Sequence, residues 1–206
     1  MAIPVVKSSH MSVTEYLRRE RESLEKHEYR DGEVLLMAGG SANHSLIVMN
    51  VGGELRNLLK GKACRVYGSD LRIRIPRTVL YAYPDVSIIC GPRQMDPNDS
   101  AGETVTNPRV IIEVLSPGTE AYDRGEKFYR YRQLDSLEEY VLISQQSPMV
   151  ETFLRQADGS WSLRSAATLE AVARVRCLDI ELSLGEIYAG VEFASAALAV
   201  ATDDAK

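Results

Sequence analysis

The sequence predicts an α/β (α+β) fold in which a central mixed β-sheet is covered by helices. Three observations carry this expectation. Short β-branched runs of strand length recur through the middle of the chain, helical apolar stripes opened by capping residues lie between them, and the order is helix, hairpin, helix, three strands, helix, strand. With 206 residues, 45% of them hydrophobic and 26% charged, the chain fits one soluble domain. We place that domain at 12–193, after an N-terminal arm (1–11) and before a flexible alanine-rich tail (194–206).

Taken in order, Ser12 with Glu15 forms a capping box for a helix running to about Lys26. Tyr29–Met37 reads as a hairpin around an Asp31-Gly32 turn. Together with the first helix it makes an N-terminal extension. Asn43 caps a second helix from His44 to about Leu59, with Leu46, Met49, Leu55, Leu58 and Leu59 as its apolar stripe. Arg65–Ile75 alternates as one strand, with Arg72 and Arg74 on the face opposite Leu71, Ile73 and Ile75. Two more strands follow, separated by a polar loop from Pro92 to Thr106. Thr119 then caps a helix over Glu120–Leu134, and Glu139–Ser144 (EYVLIS) is a further buried strand. Val150–Gln156, Trp161–Ala166 and Cys177–Leu184 complete the strands.

Composition excludes several classes. No apolar run approaches the roughly 18 residues of a membrane span, and the N-terminus has no signal-peptide core. Cys64, Cys90 and Cys177 are odd in number and lack CxxC spacing, which predicts free thiols in a reducing cytoplasm, with neither zinc site nor disulfide. A net charge of −5 argues against indiscriminate coating of nucleic acid.

Chemistry concentrates in YPDVSIICG (83–91) and NPRVIIEVLSPGT (107–119). Each is a strand-like run carrying one carboxylate, Asp85 or Glu113. A buried strand excludes an unpaired carboxylate because desolvation costs several kcal/mol, so two such acids point to a shared cation. Pro84 suits Asp85 to the mouth of its strand, and the Val114 carbonyl is a third candidate ligand. Mg²⁺ needs only one or two carboxylates beside water and phosphate. The alternative is that both acids are satisfied by arginines such as Arg109 or by backbone donors. Asp123 and Lys127, at i and i+4, share a helical face. They form either a solvated pair or a pair in which Lys127 reaches the acids.

YPDVSII, VIIEVLSPGT, then Asp123, Lys127 and Tyr131, then EYVLIS, together resemble the Uma-type family of bacterial endonucleases in the PD-(D/E)XK, or restriction-endonuclease-like, superfamily. Glu28-Tyr29-Arg30-Asp31-Gly32-Glu33, followed by His44 at a helix start, resembles that family's N-terminal signature. The likeness runs over about 12–190 and is most specific at EVLSP. It implies a restriction-endonuclease-like core and a Mg²⁺- or Mn²⁺-dependent DNA endonuclease that hydrolyses phosphodiesters with a metal-activated water. On the same resemblance Asp85 and Glu113 are the motif acids and metal ligands, and Lys127 is the catalytic cation. The motif lysine falls at position 115, where this chain has Leu115, and relatives supply the cation from the adjacent helix. Glu33 or Glu28, His44, Asp123 and Tyr131 are accessory candidates.

Arg72, Arg74 and Arg124 are the candidates to grip substrate phosphates. DNA is the expected partner, and a homodimer suits cleavage of two strands. The competing reading, favoured by Leu115 and the acidic charge, is an inactive nuclease-fold module that binds nucleic acid or a protein.

Overall fold

The computed structural model describes residues 10–37 and 39–193. The first nine residues of the expected arm and all of the expected tail lie outside that range. His10 and Met11 belong to the hairpin region, since the Met11 N–H donates to the Gly32 carbonyl at 2.9 Å.

Helix α1 (Val13–Glu22) starts where Ser12 accepts the Glu15 N–H and stops one turn earlier than expected. The hairpin is β1 (His27–Arg30) with β2 (Glu33–Leu36). Helix α2 (Ala42–Leu58) is capped by Ser41, not Asn43: the Ser41 hydroxyl accepts the His44 N–H. Its buried face is Ile47, Val51, Leu55 and Leu59, a strict i, i+4 row, whereas Met49 is 70% exposed. The expected stripe is therefore rotated around the helix.

The expected strand over Arg65–Ile75 is two strands in different sheets, β3 (Cys64–Gly68) and β4 (Arg72–Ile75). The break comes at a turn in which the Leu71 N–H returns to the Gly68 carbonyl. Next come β5 (Leu80–Ala82), β6 (Val86–Cys90), β7 (Thr104–Val105) and β8 (Val110–Leu115). The crossover from β8 is α3 (Glu120–Tyr122), a π-helical turn over Asp123–Lys127, and α4 (Phe128–Tyr131). The last strands are β9 (Glu139–Ser144), β10 (Met149–Arg155), β11 (Trp161–Ala167), β12 (Val172–Val175) and β13 (Ile180–Ser183), followed by α5 (Leu184–Ile187).

The central sheet is six-stranded and mixed, in the order β11-β10-β9-β8-β6-β3, with β8 and β9 parallel. Strand alternation sorts β8 between two cores. Val110, Ile112 and Val114 pack with Ile47, Val51 and Leu55 of α2 and with the β12–β13 hairpin. Ile111 and Leu115 pack with Tyr131, Leu134 and the inner face of a second, five-stranded sheet, β2-β1-β5-β4-β7. Helix α1 covers that sheet's outer face through Tyr16, Leu17, Tyr29 and Tyr81.

Two sequence expectations are corrected here. Cys64 and Cys90 face each other across β3 and β6 and form a disulfide. Strand register, invisible in the spacing, makes the pair, and the cysteines no longer argue for a reducing compartment. Among the described residues no helix is long and apolar enough to cross a membrane.

The second correction concerns Arg72 and Arg74, which do not face substrate. Arg72 is 2% exposed and donates to Asp99, Thr104 and Tyr83, while Arg74 donates to Asp96 at 2.6 Å. The loop before β7 folds back and supplies Asp96 and Asp99 as buried counter-ions. Removing one partner of a buried pair strands the other charge. Arg72→Ala should therefore lower unfolding stability by about 3–5 kcal/mol in urea titrations; a loss below about 1 kcal/mol would return Arg72 to the surface.

Candidate functional site

Asp85 sits at the mouth of β6, just after Pro84, and Glu113 lies in the middle of β8. The pairing of β6 with β8 brings them together. The Asp85 N–H donates to Glu113 Oε2 at 3.3 Å, and Asp85 Oδ2 accepts the Val114 N–H at 2.7 Å. Period-two alternation turns Glu113 toward the crossover helix, the side that also holds Ile111 and Leu115.

From that helix Lys127 reaches across. Its Nζ lies 2.9 Å from Glu113 Oε1, 3.1 Å from Glu28 Oε1 and 3.4 Å from Asp123 Oδ1, with all four residues buried. The π-helical turn places Asp123 and Lys127 on this face. Such turns interrupt helices most often at functional sites. Leu115, at the motif position for lysine, is 2% exposed in the apolar core, so the ammonium enters from the helix and not from the strand. Tyr131 donates its hydroxyl to Glu113 Oε1 at 3.0 Å. Tyr140 donates to the Asp123 carbonyl.

His44, in the first turn of α2, stands 3.2 Å from Asp85 Oδ2. Its position is locked from behind: Ser41 caps the helix and donates to Gln145 at the end of β9. Glu28 rather than Glu33 joins the group. Glu28 is opposite Leu35 in the hairpin, over the site, while Glu33 is at the turn, 57% exposed and paired with Arg30. Arg124 is held by Glu120 at 2.7 Å and by Glu151, so it does not line the site. Arg109 pairs with Glu138, away from both acids.

The electrostatics follow from burial. Desolvation pushes the Glu113 carboxyl up to about 8 against the pull of Lys127, with Asp85 adding to the rise. Burial also disfavours the Lys127 ammonium, but Glu113 and Glu28 outweigh it and hold the pKa well above its ordinary value. At 2.9 Å the two titrate as one pair. Burial raises Asp123 against Lys127. The hydrogen bond to Asp85 raises His44, opposed by its burial.

The group contains four carboxylates (Glu28, Asp85, Glu113 and Asp123) around one lysine, with His44 beside Asp85. That excess of negative charge suits a cation. Glu28 Oε1 already has the Lys127 ammonium 3.1 Å away, so the excess charge lies with the acids that share that one lysine. Among the described residues no three His, Cys, Asp or Glu side chains form a ready metal cage. Asp85 and Glu113 are nonetheless adjacent, the Asp85 N–H lying 3.3 Å from Glu113 Oε2, and two carboxylates are enough for an ion such as Mg²⁺ that completes its shell with water and substrate. A cavity of about 490 Å³ opens above the acids.

Sequence reasoning left Glu28 as one of two choices and did not find Gln145, the Ser41 cap or Tyr122, whose hydroxyl donates to Glu28 Oε2 at 3.4 Å. Only the hairpin's placement over the crossover helix separates Glu28 from Glu33.

Comparisons with known proteins bear on the family and the fold. Residues 13–185 match the model of the Uma2 family, described as "Putative restriction endonuclease". An uncharacterized protein of Synechocystis is 37% identical over 183 residues, covering 89% of this chain and 94% of its own length. A second from the same organism is 35% identical over 74% of this chain and 85% of its own length. A crystal structure from Anabaena variabilis, of a protein described as a putative nuclease belonging to DUF820, superposes with a TM-score of 0.65 at 18% identity. It covers 84% of this chain and 96% of its own.

Removing the ammonium strands three buried acids. Lys127→Met should lower the thermal midpoint in EDTA by more than 5 °C, the order expected for the loss of a few kcal/mol in a domain of this size. Added Mg²⁺ should restore more of that midpoint in the variant than it adds to the wild type. Equal midpoints in EDTA would show that the acids do not depend on Lys127.

Proposed function

We propose a function from one premise: the chain belongs to the Uma2 family, and with it to the restriction-endonuclease-like nucleases. In our reading it is a divalent-metal-dependent DNA endonuclease. The observation that carries this is the convergence of Asp85, Glu113 and Lys127 at the floor of one cavity.

Asp85 and Glu113 would hold Mg²⁺ or Mn²⁺, with the Val114 carbonyl beside them. When bound, the ion supplies Lewis-acid polarisation of the phosphodiester and makes water a stronger nucleophile near neutral pH. The protein's own groups do the rest. Lys127, kept protonated by Glu113 and Glu28, orients the attacking water and balances charge developing on phosphoryl oxygens. Tyr131 fixes the Glu113 carboxylate, and His44 fixes Asp85. The reading as an inactive module drew on the absent lysine at position 115. The nearness of Lys127 to Glu113 supports the catalytic reading instead.

A second copy of the chain belongs to the proposal, because two sites related by symmetry cut two strands. The outer edge of β11 is unpaired within the sheet and is available to such a partner. Sedimentation at micromolar concentration should give a dimer; a monomer there removes this part of the reading.

The test is cleavage of supercoiled and linear DNA in Mg²⁺, Mn²⁺ or EDTA, after circular dichroism has established that each variant folds. Metal-dependent nicking should fall at least about 100-fold in both Asp85→Ala and Lys127→Ala. Loss in Asp85→Ala alone would leave Lys127 a structural counter-ion, and cleavage that persists in EDTA would remove the metal.

A further inference from the structure

The cavity above the carboxylates is larger and more apolar than a two-acid metal site requires. Its volume of about 490 Å³ falls within the roughly 300–1,000 Å³ of sites that enclose small molecules. Leu35, Leu36 and Met37 line it from the hairpin side, and Pro117 lines it from the loop after β8. Leu36 is 44% exposed, an apolar side chain kept in water at the rim of a charged site. The catalytic chemistry has no use for such a surface.

The reacting groups, meanwhile, are recessed: the Lys127 and Glu113 side chains are 7% and 4% exposed. Arg30 lines the cavity, and it and the other candidate arginines are each held in ion pairs. Arg30 pairs with Glu33 and Glu126, Arg124 with Glu120 and Glu151, and Arg72 and Arg74 are committed to Asp99 and Asp96. Duplex DNA is gripped largely through its phosphates. An unpaired strand adds to its phosphate contacts a second grip through its bases, which lie against apolar and aromatic surfaces.

We propose that this cavity takes an unpaired nucleobase from the strand whose phosphodiester lies over Asp85 and Glu113. The substrate class is then single-stranded or locally unpaired DNA rather than a fully paired duplex. The inference rests on the nuclease reading above and specifies what that site accepts. The flat face of the base lies between the Leu36–Met37 wall and Pro117. Gln145 also lines the cavity, and its Oε1 accepts from Ser41; its amide is the polar group placed to meet the edge of the base. A paired base must first leave its stack, at a penalty of a few kcal/mol that an unpaired strand does not face.

The experiment uses three end-labelled DNAs of one sequence: a single strand, a full duplex, and a duplex with a central unpaired bubble. With wild-type protein in Mg²⁺, the single strand and the bubble should be cut at least about tenfold faster than the duplex. Leu36→Trp, which fills the cavity mouth, should lose at least about tenfold of the single-strand rate while Mn²⁺ binding by calorimetry is unchanged. Equal or faster cutting of the full duplex overturns the base pocket and leaves the nuclease reading standing. If none of the three is cut, the nuclease reading falls. The pocket is then judged by 2-aminopurine in the single strand, whose fluorescence should change saturably on binding and lose that change in Leu36→Trp. No saturable change overturns the pocket as well.

Discussion

The structure depends on a lysine ammonium buried among three carboxylates. Glu28 comes from the five-stranded sheet, Glu113 from the six-stranded sheet, and Asp123 and Lys127 from the helix between them. One charge therefore ties three layers that apolar packing alone would let slide. Burying ions costs several kcal/mol each before their attraction is counted, and a well-packed apolar cluster of similar volume is commonly as stable or more so. Stability alone does not account for this group. Its imbalance, three acids on one lysine with Asp85 adjoining, is the property that a purely structural ion cluster lacks.

The same cluster explains where the sequence was legible. The acids on β6 and β8 stand out because each interrupts a β-branched run, and period-two alternation shows that Glu113 and position 115 share a face. Leu115 lies in the core because, on that shared face, it packs in the cluster of Ile111, Tyr131 and Leu134. The reach of Lys127 was not legible, since i, i+4 spacing holds equally on a solvent face, and the π-helical turn that aims it leaves no composition signal apart from Gly125. Glu28 and Glu33 share a hairpin face, so no local rule chooses between them; the choice depends on where the turn falls relative to the crossover helix. The fold class was readable from the alternation of element types. The division into two sheets has its signal in Gly68-Ser69-Asp70, a turn composition across which the apolar positions shift parity from Cys64 and Val66 to Leu71, Ile73 and Ile75; reading Arg65–Ile75 as one strand overlooks it.

Long-range pairing accounts for the remaining errors. Cys64 and Cys90 meet because β3 and β6 are antiparallel in one register, and no spacing rule reads register between strands. Arg72 and Arg74 looked like a polar face because their counter-ions, Asp99 and Asp96, arrive from a loop that reads as surface. Such a loop becomes interior once its acids accept both guanidinium and backbone N–H donors: Asp99 accepts from Arg72, Thr104 and Ala101. A polar composition predicts a loop correctly and predicts its burial badly, because burial depends on whether partners are present.

These engaged arginines bear on function more than their number suggests. A protein of net charge −5 that commits Arg72 and Arg74 to buried acids has little long-range attraction for a polyanion. The site itself repels phosphate, since its acids outnumber its cations. On the proposed nuclease reading, substrate approach would then draw on two short-range terms: a cation held by Asp85 and Glu113, which would reverse the local sign, and apolar contact along Leu35, Leu36 and Met37. Both act only once the strand lies inside the cavity. On that proposal the arrangement would trade encounter rate for selectivity: a strand that cannot enter would gain little from touching the rim, and a strand that enters would meet the lysine, the acids and the apolar wall together.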